Sequence, residues 1–403
     1  MPTLVQFGAG NIGRSFVAQL FAAAGYAVIF VDVVDELVTA LNARGRYRVM
    51  VMETRQEDIW VDGVRAVQGK DLEAVADALA DCDIAATAVG PNALPFLYPG
   101  IARGLRRRRE RHGARPLDII LAENLRNAAS IVRAGLQQAL PADFPLDDLV
   151  GLVETSIGKM VPIMTEAQRL ADPLGVCAEA YNTLILDALA FKNPIPPVPG
   201  LAPKRNIAAY VDRKLFVHNL GHAAIAYLGH LYDPYLTYIW QVADIPELRD
   251  RARAAMEESA RALLAAYPDE FTADALHAHS EDLLRRFRNR ALGDTVFRVG
   301  RDLLRKLSRE DRLIGAMLFD LAHGVPCPAT ARVAAAALEF RGTDERDRLS
   351  APDAKFADEL YPLGLDAIFT RICGLDLAAS PDRDVADAIR VAHRSIKADV
   401  SIA

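Results

Sequence analysis

The first 32 residues constrain this chain more than any other stretch. Thr3-Leu4-Val5-Gln6-Phe7 reads as a short apolar strand running into Gly8-Ala9-Gly10-Asn11-Ile12-Gly13, a Gly-x-Gly-x-x-Gly loop. An amphipathic pattern through Phe16, Leu20, Phe21 and Ala24 predicts a helix, and Gly25 stands where that helix would stop. A second apolar run, Ala27–Val31, ends in Asp32. Gly8 permits the tight turn, Gly10 lets backbone approach a pyrophosphate, and Gly13 lets helix pack on strand. Asn11 and Ile12 open the helix, whose first N–H groups have no partner within it and suit phosphate oxygens. Asp32 lies 19 residues after Gly13, where a carboxylate would accept hydrogen bonds from an adenosine ribose. It would also repel a 2′-phosphate, and Val33 and Val34 follow where an arginine would receive one, so NAD is expected rather than NADP. The competing readings are a glycine-rich turn without ligand and a methyl-donor cofactor in a related fold.

Strand-like and helical runs go on alternating. Tyr47–Met52 and Ile59–Val67 are expected strands, Asp71–Ala80 a helix, and Ile84–Val89 a strand ending in Gly90-Pro91. Val89 and Gly90 fall at the carboxyl edge of that strand, where a dinucleotide would lie. Strands are also expected at Leu117–Ala122, before Glu123-Asn124, and at Leu149–Glu154. Asn193-Pro194-Ile195-Pro196-Pro197-Val198-Pro199-Gly200 can be neither helix nor central strand and reads as a linker. Beyond it the pattern is helical, as in Pro246–Tyr267, Glu281–Arg288 and Asp384–Ile396. The expected fold class is therefore α/β: a Rossmann-type doubly wound sheet over residues 1–192, followed by a mostly α-helical domain over residues 201–403. Arg106-Arg107-Arg108-Arg109 is expected to be a solvated run near a helix end, where cations suit the dipole.

Composition narrows the class further. A net charge of −6 argues against general nucleic-acid binding. Cys82, Cys177, Cys327 and Cys373 are scattered and are expected to be buried free thiols. No apolar run approaches a membrane span, and the first strand starts too early for a signal peptide, so the expected location is cytoplasmic, with neither membrane nor nucleic acid as partner.

Arg213-Lys214-Leu215-Phe216-Val217-His218-Asn219-Leu220-Gly221-His222 places an ammonium, an amide and imidazoles on one expected helix. At about 100° per residue, Lys214, His218 and His222 fall within about 80° of one another, and Asn219 lies about 140° from Lys214. A lysine can take a proton from an alcohol only if burial or a neighbour lowers its pKa, and the apolar residues around Lys214 could desolvate it. The same pattern also fits a surface helix whose lysine reaches into water.

Taken in order, the glycine loop, the linker and Lys214-x4-Asn219-x2-His222 make the chain resemble the polyol-specific long-chain dehydrogenases. Further likeness lies in Thr87-Ala88-Val89-Gly90-Pro91, Glu123-Asn124, Ala255-Met256-Glu257-Glu258-Ser259, and Val299-Gly300-Arg301 with Leu304-Arg305-Lys306-Leu307-Ser308. The resemblance implies a metal-independent, NAD-dependent interconversion of D-mannitol 1-phosphate and D-fructose 6-phosphate, in a chain that can act as a monomer. It implies that Lys214 is the general base or acid, that Asn219 and Asn124 donate to the oxygen that becomes an alkoxide, and that His222 binds substrate hydroxyls. Arg298 and Lys306 match positions that contact substrate, with Arg301 and Arg305 as further cations for its phosphate. The histidine pair His277 and His279 has no obvious third metal ligand. One departure concerns the sugar: where relatives carry Val-Asp-Arg-Ile-Val-Pro, this chain has Ile157-Gly158-Lys159-Met160-Val161-Pro162. Glu123 and Glu154 are candidates for the missing contact. The rival activities are reduction of fructuronate or tagaturonate, oxidation of an unphosphorylated polyol, and dinucleotide sensing without turnover.

Overall fold

The computed structural model describes residues 1–53, 57–162 and 164–400, and it divides into two compact units, Met1–Val211 and Asp212–Ala403. In the first unit, β1 (Thr3–Phe7), β2 (Ala27–Asp32), β3 (Arg46–Val51), β4 (Glu57–Asp62), β5 (Val64–Gln68), β6 (Ile84–Thr87), β7 (Leu117–Leu121), β8 (Val150–Ser156), β9 (Val176–Ala178), β10 (Leu184–Asp187) and β11 (Leu201–Lys204) make two sheets. The larger has the order β11-β10-β8-β7-β6-β1-β2-β5, parallel throughout except where β10 meets β8; the smaller is β4-β3-β9. The expected Rossmann-type sheet is present.

Alternation along the strands explains why both faces are covered. Leu4, Val28, Phe30, Ala86 and Ile120 belong to one buried cluster, while Val5, Ile29, Val31, Ala85 and Ile119 belong to another. Successive side chains point to opposite faces, so near-continuous apolar runs bury both. Helices Leu72–Asp81, Tyr98–His112 and Ala128–Ala139 contribute Val75, Leu79, Ile101, Leu105, Val132 and Leu136 to the second cluster.

Three local readings change. The run Ile59–Val67 is two strands: Gly63, at φ 70°, breaks it, so that β4 pairs antiparallel with β3 while β5 pairs parallel with β2. The Pro-rich stretch 193–200 joins β10 to β11 within the first unit, tied down by Asp118, which accepts from the backbone N–H groups of Lys192 (2.7 Å) and Asn193 (3.1 Å). Pro203 is tolerated in β11 because that strand is the sheet's edge. The division between units therefore falls at Val211/Asp212, after β11 rather than at the prolines. Finally, Arg108 is buried rather than solvated: its guanidinium donates to the carbonyls of Ala80, Cys82, Arg115 and Pro116.

The second unit is helical, with Leu220–Tyr232, Pro246–Ala266, Ala273–Phe287, Ile314–Ala322, Pro328–Leu338 and Asp382–Val400 as its longer elements. Close crossings need small residues. A Cβ at Gly221 would stand 2.5 Å from Met256 Sδ, so glycine is what lets these helices approach. The helix expected at Glu281–Arg288 starts earlier, at Ala273, because Thr272 caps it by accepting from Ala275 N–H (3.2 Å). All four cysteines are free and buried. No described helix is long and apolar enough to cross a membrane.

Candidate active site

At the carboxyl end of β1 the chain turns sharply. Gly8 has φ 86°, and a Cβ there would lie 2.5 Å from the Ala88 carbonyl oxygen. A Cβ on Gly13 would lie 2.0 Å from the Gly8 carbonyl oxygen, which is why the helix can begin so close to the strand. Over Gly10 there is open space, and Gly10 and Asn11 are exposed while Ile12 is half-buried. That is a cradle whose exposed backbone can receive a pyrophosphate. Asp32 closes β2: its carboxylate accepts from Ala9 N–H (2.8 Å) and Val34 N–H (3.0 Å), which ties the acid to the glycine loop. Carboxylate oxygens carry spare lone pairs, so these bonds leave acceptor capacity for a ribose. Helix winding after the loop is unusual, a π-turn over Gly13–Ala18. Such turns are rare and recur at functional sites.

Val89 and Gly90 follow β6, and Glu123, 3% exposed at the end of β7, accepts from both of their N–H groups (3.0 and 2.7 Å). Glu123 therefore pins the turn that would face a dinucleotide. Glu154 accepts from Ala129 N–H (3.1 Å). Both acids are thus committed to backbone, which weighs against either replacing the aspartate missing at Gly158. The space over Gly158 is taken instead by Tyr181, whose ring carbons and hydroxyl lie 3.5–3.7 Å from where a Cβ would be. Lys159 is buried, with Nζ 2.9 Å from Asn182 Oδ1 and 5.3 Å from the Phe16 ring centroid. Asn124 is exposed just beyond β7.

In the second unit Lys214 opens another π-turn, Lys214–Asn219, set between helices Ile207–Arg213 and Leu220–Tyr232. The i→i+5 winding returns the fifth residue toward the first, so Asn219 lies nearer the Lys214 face than the 140° of an α-helix. Aromatic packing anchors this turn. Phe216 packs on Phe319 at 5.0 Å, Phe319 stacks on Tyr267, and the Tyr267 hydroxyl donates to Asp212 (2.6 Å). Burial, then the Arg312 guanidinium, pull the Lys214 ammonium down to about 7, against the opposing charge of Asp311. His218 is held well below its ordinary value by burial and by Arg286. His222 stacks on Phe287 at 4.8 Å, with Nε2 3.1 Å from Asp294 Oδ2, and burial still keeps it below the usual imidazole range.

The expected cations are spread over two short helices and the turn between them. Asp302, at φ 74°, separates Val296–Gly300 from Leu303–Lys306. Arg298 pairs with Asp294. Lys306 is buried, donates to the Val299 carbonyl, and is brought to about 7 by burial and Arg312. Arg305 bridges Asp302 (2.6 Å) and Asp311 (2.8 Å). Arg301 is exposed, with its guanidinium 5.7 Å from the Phe297 ring centroid. Sequence reasoning missed Asp294, which acts on two expected site residues, His222 and Arg298. The signal for Asp294 was its i,i+4 spacing to Arg298. Among the described residues no group of three or more His, Cys, Asp or Glu side chains converges as metal ligands would.

A family model described as the mannitol dehydrogenase Rossmann domain matches residues 2–200, and one described as the mannitol dehydrogenase C-terminal domain matches residues 206–360. Among solved structures the chain is similar to Pseudomonas fluorescens mannitol 2-dehydrogenase in a ternary complex with NAD and D-mannitol. That match has a TM-score of 0.75 and 18% identity, covering 98% of this chain and 92% of that one. It is also similar to a D-sorbitol dehydrogenase in substrate-free form, with a TM-score of 0.77 and 18% identity over 98% and 93% of the two chains. At that identity these two likenesses speak for the fold.

Proposed function

The chain belongs to the mannitol dehydrogenase family, and from that premise we propose that it is an NAD-dependent, metal-independent oxidoreductase interconverting D-mannitol 1-phosphate and D-fructose 6-phosphate. One observation carries the proposal: an amine, Lys214, sits half-buried on a π-turn and is brought to about 7, where it can both take and give a proton. In the oxidative direction Lys214 removes the hydroxyl proton, while Asn219 donates to the oxygen as its charge grows. Donors fixed in advance of the reaction contribute a few kcal/mol to lowering such a barrier. His222, neutral because it is buried, holds substrate hydroxyls. The glycine loop and Asp32 would hold NAD, which would supply the hydride acceptor for oxidation and, reduced, the hydride donor for reduction. The glycine cradle and Asp32 fit its pyrophosphate and ribose, and the mannitol 2-dehydrogenase of similar fold holds the same cofactor.

A phosphorylated sugar is the reading the Arg298–Lys306 stretch supports, in which Arg301 and Arg305 are exposed and Arg305 is already paired with Asp302 and Asp311. A second reading, an unphosphorylated hexitol, is favoured by one observation: Arg298 and Arg305 are already paired with carboxylates. Initial rates of NADH oxidation with fructose 6-phosphate, fructose, fructuronate and tagaturonate separate these readings. Reduction of fructose 6-phosphate is expected to dominate. Reduction of fructose alone would move the assignment to the second reading, and a uronate preference would move it to a carboxylated sugar. NADH binding without turnover of any polyol or ketose would identify a sensor.

A further inference from the structure

A carboxylate buried away from water must be compensated, and it orders whatever compensates it. Asp294 is 7% exposed and its place is set by backbone. Ile239 N–H donates to the Asp294 carbonyl (2.9 Å), Val296 N–H donates to the Thr237 carbonyl (2.8 Å), and Tyr238 and Thr295 form a β-bridge. Thr295 then caps the next helix by accepting from Arg298 N–H (3.1 Å). Two side chains converge on this fixed carboxylate: Arg298 through Nε to Oδ1, and His222, whose Nε2 is 3.1 Å from Oδ2. Phe287 covers one face of the imidazole, nearly parallel at 6°. The ring thus has a stacked face and one edge against an anion.

The contact is a charge-pair distance of 3.1 Å rather than an aligned hydrogen bond, and a carboxylate that close offers only acceptors and repels a lone pair, so it favours the proton on the ring nitrogen beside it. Because Arg298 balances the charge of Asp294 and burial keeps His222 neutral, the imidazole holds a single proton. The other nitrogen, Nδ1, is then a bare lone pair. We propose that Asp294 is a positioning residue that holds His222 as the Nε2–H tautomer, so that its Nδ1 accepts a hydrogen bond from a substrate hydroxyl. This rests on the polyol–ketose reading above, and it adds a direction: the hydroxyl donates and the histidine accepts. The same carboxylate confines Arg298, so one acid orients two groups expected to face the sugar.

The test uses the full-length protein with 15N-labelled histidine. The His222 signal is identified by its loss in His222→Gln, and long-range 1H–15N correlations report which nitrogen is protonated. The wild type is expected to show the Nε2–H form. Asp294→Asn is expected to lose that preference and to raise KM for the reduced ketose by about tenfold, with kcat within about threefold and the NADH Kd unchanged. Asp294→Glu, which keeps the anion, is expected to restore the tautomer in part. An Nδ1–H tautomer in the wild type would overturn the proposal, as would Asp294→Asn with tautomer and KM both unmoved. If Asp294→Asn does not fold, the wild-type tautomer decides alone. That measurement needs no turnover, so a chain that reduced no ketose would sink the dehydrogenase reading while leaving the Asp294 assignment separately decided.

Discussion

An amine brought to about 7 has a definite pH signature at Lys214. Alcohol oxidation needs the free amine, so its rate should rise as pH climbs through about 7 and then level. Ketone reduction needs the ammonium, so its rate should fall over the same range. Steady-state rates in both directions between pH 5.5 and pH 9 check this; parallel profiles would remove Lys214 from proton transfer. Lys214→Ala should leave NADH binding intact, measured by fluorescence titration, and lower turnover by about two to four powers of ten. Arg312 is the second cause of the lowered value, so Arg312→Gln should move both inflections to higher pH, because removing a neighbouring cation favours the ammonium. Asp32 carries the cofactor choice. Asp32→Ala should relax selectivity toward NADP while weakening NAD binding, since the carboxylate also holds Ala9 and Val34. Unchanged selectivity in paired kcat/KM measurements would count against the ribose contact.

Elements were legible where one periodicity ruled them. The strands buried on both faces and the glycine turn announce themselves, since apolar runs and small residues have few other uses there. What escaped the reading depended on single backbone conformations. Gly63 sends two halves of one apolar run into different sheets, and Asp302 divides the basic stretch between two short helices. The π-turns at Gly13–Ala18 and Lys214–Asn219 keep a helical pattern while rotating every later residue, so angles counted at 100° drift. Buried acids leave no periodic signal at all. Asp320, on helix Ile314–Ala322, is fully buried and accepts from Ser259 Oγ (3.1 Å) on helix Pro246–Ala266. Burial, with Glu258 nearby, pushes its carboxyl up to about 8. The folded chain therefore binds this proton more tightly than the unfolded chain. Its contribution is fully present below the ordinary carboxylate value and is lost as pH rises through about 8. Asp320→Asn, which keeps the acceptor for Ser259, should escape that loss. The advantage of the variant in urea midpoint should grow steadily from pH 5 to pH 8 and then level; a constant difference would show that Asp320 ionises freely in the fold.

Over the whole molecule, family membership spans both units, whereas the sugar depends on a few charges. The chain carries a net charge of −6, so an anionic substrate meets an average field that opposes it and must be held by local cations. Of the expected cations, Arg298 and Arg305 are balanced by Asp294, Asp302 and Asp311, and Lys306 turns to the Val299 carbonyl at a pKa near 7. A phosphate would then draw mainly on the exposed guanidinium of Arg301, and exposed charge is screened by salt. From about 0.01 M to about 0.15 M salt the screening length contracts from about 30 Å to about 8 Å. The KM for fructose 6-phosphate should accordingly rise several-fold over that range, while the KM for any neutral ketose stays flat. Arg301→Gln should abolish most of the salt dependence and bring the low-salt KM toward its high-salt value. If fructose 6-phosphate is reduced with a salt-independent KM, its phosphate is held by a buried group, and Lys159, buried against the Phe16 ring, becomes the cation to replace next. If fructose alone is reduced, Arg298 and Arg305 are spoken for by their carboxylates, and the hexitol reading stands.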